Sequence, residues 1–160
     1  MSSENIHTLV VPKILNGTVI DHIPAGRALD ILKVLNITGG EGWRIAVLLN
    51  VESKKLGRKD IIKIERRKLT SAEVNVIALI APTATINIIE NFVVVEKFKV
   101  NVPEIIEGVI RCPNPTCISN KEREPVKSRF RTLSKDQLVF RCEYCSTIVT
   151  RDDILKLIIR

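Results

Sequence analysis

All four cysteines of this 160-residue chain fall between positions 112 and 145, as two close pairs separated by 24 residues. Two pairs on two turns supply the tetrahedral set of soft donors that zinc prefers. Cys142-Glu-Tyr-Cys145 has the usual knuckle spacing, and Cys112-Pro-Asn-Pro-Thr-Cys117 is a little wider. Four thiolates fill the coordination sphere and leave no position for water or substrate, so the expected ion is structural. The competing readings are two disulfides, four free thiols or a redox Cys-x-x-Cys. A reducing compartment disfavours the disulfides, and the redox reading leaves the first pair unexplained. The expectation is one Zn2+ held by Cys112, Cys117, Cys142 and Cys145. It would staple a segment of about 60 residues whose own core is small.

The compartment expected is the cytoplasm. Met1-Ser2-Ser3-Glu4-Asn5 shows no basic start followed by an apolar stretch, so no secretion signal is read. No apolar run approaches the ~20 residues of a membrane-spanning helix; Val76–Ala81, for example, is stopped by Pro82. No membrane partner is expected. Apolar residues form 45% of the chain and aromatics only 4%, so the core must be built from Ile, Val and Leu. Net charge is +7, spread as 14 basic and 10 acidic groups over residues 1–100 and 11 and 8 over residues 101–160. Such a balance suits an anionic partner without choosing between nucleic acid, nucleotide and acidic protein. A solvated surface of mixed charge fits it equally.

Thr18–Ile23 is rich in β-branched residues and reads as a strand. Pro24 opens a helical stretch with Ala28, Ile31, Leu32 and Leu35 at helix spacing, closed by Gly39-Gly40. Arg44–Val51 and Asp60–Ile64 read as strands around a turn at Ser53–Gly57. Thr70-Ser71-Ala72-Glu73 is a capping box that starts a second helix. That helix ends at Pro82, and Thr85–Ile89 and Phe92–Val100 read as further strands. The order β-α-β-β-α-β plus one strand is the split βαβ, ferredoxin-like pattern. Asn101-Val102-Pro103-Glu104 reads as a linker or hinge, after which cysteines, prolines and short β-prone segments near Phe130 and Val139 take over. The expected class is α+β: a ferredoxin-like domain over residues 1–102, then a small β-rich four-cysteine zinc domain over 103–160.

Asp21-His22 ends a strand and has the makings of an acid/base pair, yet no motif supplies a nucleophile beside it. A turn Asp and a surface His explain the dipeptide as well. Lys63 sits among apolar residues in Ile61-Ile62-Lys63-Ile64, where desolvation makes its charge seek a partner such as a phosphate. The plainer reading puts it on the solvent face of an alternating strand. Lys59 and Lys97 are further cations on or beside strands. No P-loop or Gly-x-Gly-x-x-Gly is present, so a nucleotide here would bind a sheet surface.

Several segments in order resemble the regulatory chain of aspartate carbamoyltransferase. They are Gly17-Thr-Val-Ile-Asp-His-Ile-Pro-Ala25, Gly57-Arg-Lys-Asp-Ile-Ile-Lys-Ile-Glu65, Ala81-Pro-Thr-Ala-Thr-Ile-Asn87, Cys112-Pro-Asn-Pro-Thr-Cys-Ile-Ser119 and Cys142-Glu-Tyr-Cys145. The resemblance covers nearly the whole chain. It implies a non-catalytic subunit whose first domain binds the allosteric nucleotides CTP and ATP, with UTP a further candidate. It implies that the zinc domain docks on the catalytic chain, and that a second regulatory chain is a partner. Carried over by position, Asp21 and Lys63 are ribose and base contacts. His22, Asn87 and Lys97 are triphosphate contacts, which suits the basic chemistry of His22 and Lys97. Ile14, Val19, Ile89, Phe92 and Val94 resemble the wall of the base pocket, with Lys59 at its edge. The alternative function is a zinc-ribbon nucleic-acid-binding protein. Against it, the few aromatics do not interleave with basic residues in a stacking array, and no nucleic-acid partner is expected.

Overall fold

Alternation of burial along the strands decides the architecture. In the computed structural model, which describes residues 13–159, the first half forms one antiparallel sheet. The reading of the first five residues lies outside the described region. The strands are β1 (Gly17–Pro24), β2 (Ile45–Ser53), β3 (Gly57–Glu65), β4 (Thr85–Glu90) and β5 (Val93–Lys99), in the spatial order β2-β3-β1-β4-β5. Helix α1 (Ala28–Val34) follows β1, and α2 (Ser71–Ile80) follows β3. The ferredoxin-like order is therefore present, with β5 added beyond β4.

One face of this sheet is aliphatic. Ile20, Ile62, Ile64 and Ile86 are fully buried and share a core with Ala28, Ile31, Ile77 and Ala78 of the helices. Each buried isoleucine contributes ~1.5–3 kcal/mol relative to exposure, so this face outweighs any single polar contact on the other. The other face carries most of the polar residues, Asp60 being buried on the helix side. Helix α2 starts as the capping box requires: the Thr70 hydroxyl accepts from the Glu73 amide at 3.2 Å, and the Glu73 carboxylate accepts from the Thr70 amide at 3.0 Å. Gly17 opens β1 at φ +152°, and a Cβ there would lie 2.1 Å from the Ile64 carbonyl oxygen. Only glycine lets β1 pack this closely against β3.

The second half is a smaller sheet, β6 (Ile105–Glu107), β7 (Arg129–Ser134), β8 (Val139–Cys142) and β9 (Ile148–Val149), in sequential order. Helix α3 (Arg151–Leu157) closes it. Phe130 and Phe140 are fully buried at its centre. The helix and the strands β6 and β9 are elements beyond the sequence reading. Helix α1 is also shorter than expected, because Pro24 ends β1 and Ala25-Gly26 form a turn before the first helical residue, Ala28.

The segment read as a linker is tied down. Val102 is buried, the Pro103 carbonyl accepts from the Thr132 hydroxyl at 2.6 Å, and the Glu104 carbonyl accepts from the Thr132 amide at 2.8 Å. Val100, Val102, Ile106 and Ile110 continue the apolar cluster from the first sheet to the second.

Candidate functional site

Register brings the predicted pocket residues together. Lys63 pairs across to Val19, Val19 to Asn87, and Asn87 to Lys97. Directly opposed residues point to the same face of a sheet. Lys63, Val19, Asn87 and Lys97 thus form one row across four strands, on the face away from the helices. Ile89 pairs with Val94 two positions along, again on this face. Ile89 is buried yet stands outside the main core cluster.

At the end of this row lies a concavity of about 230 Å³, lined by Lys13, Ile14, Val19, Lys63, Ile89, Phe92 and Val94. Six of these seven are residues expected at the base pocket; Lys13 is the addition. The volume is below the ~300–1,000 Å³ of a pocket for a drug-sized ligand. It suits one ring rather than a whole nucleotide, so a polyphosphate would run out along the polar row. Phe92 reaches the pocket from a two-residue turn in which Asn91 and Phe92 both have positive φ, 50° and 65°. For an aromatic residue that conformation is strained, and its amide donates to the Leu15 carbonyl at 3.0 Å. Phe92 therefore belongs to the turn and not to a strand.

Further along the same face stand Asp21, His22 and Lys59. Lys59 Nζ lies 3.0 Å from Asp21 Oδ1, with both side chains about four-fifths buried, at 17% and 23% exposure. His22 has φ +55° and its amide donates to Asp21 Oδ1 at 2.6 Å. Its carbonyl accepts from the Thr83 hydroxyl at 2.8 Å, and its Nδ1 is 3.2 Å from Thr85 Oγ1. Asp21 is taken up by Lys59 and the His22 amide, and His22 by Thr83 and Thr85, which explains the dipeptide without acid/base chemistry. Thr83 and Thr85 hold His22, a role with no signature in the local sequence.

A second basic cavity, about 570 Å³, is lined by Asn16, Gly17, Arg66, Arg67, Lys68 and neighbouring residues. Two of its cations are already satisfied. Arg67 pairs with Glu73 and stacks 5.2 Å over Trp43, and Lys68 is 3.2 Å from Glu90. That neutralisation makes it the weaker anion site.

The thiols converge. The sulfurs of Cys112, Cys117, Cys142 and Cys145 all lie within 4.8 Å of one another. Cys112 and Cys145 are 3.5 Å apart, and Cys117 and Cys142 are 3.7 Å apart. Thiolates at about 2.3 Å from a tetrahedral zinc stand roughly 3.8 Å from each other, so the donor set fits that ion. Burial pushes the Cys112 and Cys142 thiols up. At Cys145 burial acts the same way, but hydrogen bonds from the Thr147 hydroxyl and amide, Asn114 and Cys112 together outweigh it and bring the thiol down to about 6. Asn120 buttresses the first knuckle by donating to the Cys112 and Asn114 carbonyls at 2.8 and 2.7 Å.

Residues 9–101 match the family described as the aspartate carbamoyltransferase regulatory chain, allosteric domain, and residues 104–155 match its metal binding domain. The chain belongs to the aspartate carbamoyltransferase regulatory-chain family. Proteins of that name from Hyperthermus butylicus, Pyrobaculum islandicum and Saccharolobus solfataricus are similar. The first is 61% identical over 91% of each chain. The second is 59% identical over 92% of this chain and 97% of its own. The third is 54% identical over 99% of both. Family membership supplies a reason for a metal site closed by four thiolates beside an allosteric domain. It does not favour the nucleic-acid reading. No helix among the described residues is long and apolar enough to cross a membrane.

Proposed function

We propose that this chain is the non-catalytic regulatory subunit of an aspartate carbamoyltransferase assembly serving pyrimidine synthesis, and that CTP- and ATP-type nucleotides bind its first sheet. The observation that carries the reading is the row Lys63–Val19–Asn87–Lys97 running into the 230 Å³ concavity. The base enters between Ile14, Val19, Ile89, Phe92 and Val94, beside Lys63. The ribose meets Asp21, with Lys59 at the edge. His22, Asn87 and Lys97 take the triphosphate, whose charge two cations and an amide suit.

Zinc, when bound, supplies a rigid four-way crosslink between the two knuckles. Asn120, Thr147 and the buried Phe130 and Phe140 shape the surface around it. That surface docks on the catalytic chain, with residues 1–102 acting as the effector unit and 103–160 as the docking unit. The continuous apolar cluster through Val100, Val102 and Ile106 is the physical connection between them. A nucleotide acts by binding one quaternary state better than the other. A second copy of the chain pairs along β2, where Ile45-Ala46-Val47-Leu48-Leu49 is a half-exposed to exposed apolar edge that an isolated subunit would need to cover. The compartment is the cytoplasm.

Calorimetry with CTP tests the site. Lys97→Ala weakens binding while zinc content and assembly stay intact; an unchanged affinity refutes the assignment.

A further inference from the structure

The two-carbon carboxylate of Asp60 is fully buried in β3, and it lies on the helix side of the sheet, behind the proposed pocket. It accepts three backbone N–H groups. Asp60 Oδ2 takes the amides of Gly26 at 2.9 Å and Ala28 at 3.1 Å, and Oδ1 takes the Asn50 amide at 2.8 Å. These donors come from the β1–α1 turn, the first residue of α1 and β2. Among the described residues, no hydrogen bond of Asp60 reaches the ligand face, so its role in binding is indirect.

The pairing pattern shows what the three bonds hold. Between β1 and β3 the register shifts between Ile20, opposite Ile62, and Ile23, opposite Asp60. Asp21 and His22 thus face a single residue of β3. Between β2 and β3 it shifts again, with Leu49 and Asn50 set against Asp60 alone. Two bulges therefore flank one carboxylate. In an unbroken strand His22 would share a face with Ile20, inside the core. The β1 bulge instead returns Ile23 to the core at 0% exposure and leaves both Asp21 and His22 on the polar face. Asn50, like His22, adopts a positive φ, 58°, and its N–H is one that Asp60 anchors. Lys59, the neighbour of Asp60, points the other way to meet Asp21.

We infer that Asp60 is a positioning residue for the nucleotide site: its three backbone hydrogen bonds fix the paired bulges that present Asp21, His22 and Lys59 to the ligand. The inference rests on the nucleotide reading above. It predicts selective damage. The base concavity is built from Val19, Lys63, Ile89 and Val94, which lie beyond the bulges. Loosening the clamp displaces His22, a triphosphate contact, while the walls of the concavity stay in place, and so weakens polyphosphate contacts more than base contacts.

The test is calorimetry on the full zinc-loaded chain at 25 °C with CTP and with CMP, for the parent, Asp60→Asn and the core control Ile77→Ala. Asparagine keeps the volume but turns an N–H₂ group towards backbone donors. Asp60→Asn should weaken CTP binding by about tenfold or more, the loss of a charge-assisted hydrogen bond to the polyphosphate, with less than a threefold loss for CMP. Ile77→Ala lowers the unfolding temperature and leaves both affinities unchanged. If Asp60→Asn does not fold, Asp60→Ser, which keeps one acceptor, is read by the same ratio. A CTP affinity within twofold of the parent overturns the inference, as does an equal loss for CTP and CMP or an equal loss in Ile77→Ala. A parent chain that binds no CTP overturns the nucleotide reading itself.

Discussion

Replacing Lys63 by methionine separates the stability of the sheet from its function. Lys63 is half-buried in β3, between Ile62 and Ile64, and opposes Val19 on one side and Ala46 on the other. Among the described residues no carboxylate lies within ion-pair distance of it. Its charge is thus partly desolvated without return in the free chain, which disfavours burial. Methionine keeps the apolar stem and removes the ammonium. The free chain should lose no stability, with a Tm equal to the parent or higher by up to ~3 °C. Binding should suffer. A hydrogen bond to a charged group is worth ~1.5–3 kcal/mol, which at ~1.4 kcal/mol per decade corresponds to a roughly 10- to 150-fold rise in the Kd for CTP. Lys97 is exposed, so Lys97→Ala should fall at or below the lower end of that range. Thermal unfolding with and without CTP, together with calorimetry, reads both quantities. A Lys63→Met chain that binds CTP within twofold of the parent, or that unfolds several degrees earlier, refutes the reasoning.

Three further outcomes follow from the geometry. Gly17→Ala places a Cβ against the Ile64 carbonyl and should cost ~3 kcal/mol or more by chemical denaturation. Thr70→Ala removes half the capping box and should cost about 1 kcal/mol, read in the same way. Glu41 accepts from the Thr38 amide, the Thr38 hydroxyl and the Gly39 amide, and these bonds, the Thr38 amide first, bring its carboxyl from 4.5 down to about 2. A lowered folded value means stabilisation that is complete above the unfolded value and is lost as pH falls from about 4.5 through about 2. An NMR titration should place the Glu41 midpoint near 2, and Glu41→Gln should flatten the pH dependence of stability in that window; a midpoint near 4.5 would show the loop bonds to be absent in solution.

The metal centre was the most legible feature, because thiolate spacing is itself the geometric constraint. The first sheet was legible for a similar reason. Thr18–Ile23 and Asp60–Ile64 carry the β-branched signal, and Thr70 with Glu73 marks a helix start by chemistry alone. Other parts depend on tertiary partners. Asp60 reads in sequence as the first residue of a strand, and only the Gly26, Ala28 and Asn50 amides, up to 34 positions away, reveal it as a clamp. The bulges at His22 and Asn50 are residues of positive φ without a neighbouring glycine, so local pattern does not announce them. Helix α3 had a faint signal: the Thr150 hydroxyl lies 3.5 Å from the Asp153 carboxylate, a Thr-x-x-Asp start. Its seven residues lead into Ile158-Ile159 with no stop signal, and so hid in an apolar run. Asn101–Glu104 looked like a linker because asparagine and proline stand just ahead of a charged residue, yet the burial of Val102 and the Thr132 contacts to Pro103 and Glu104 fasten it.

The most direct measurement co-expresses this chain with its cognate catalytic chain and records carbamoyltransferase activity against aspartate concentration, with and without CTP. CTP should shift the curve of the parent assembly, Lys63→Met should raise the CTP concentration needed for that shift roughly 10- to 150-fold with basal activity retained, and removing zinc should dissociate the regulatory chain. Curves that coincide with and without CTP while the assembly is intact, or a zinc-free chain that still holds the catalytic subunit, would contradict it.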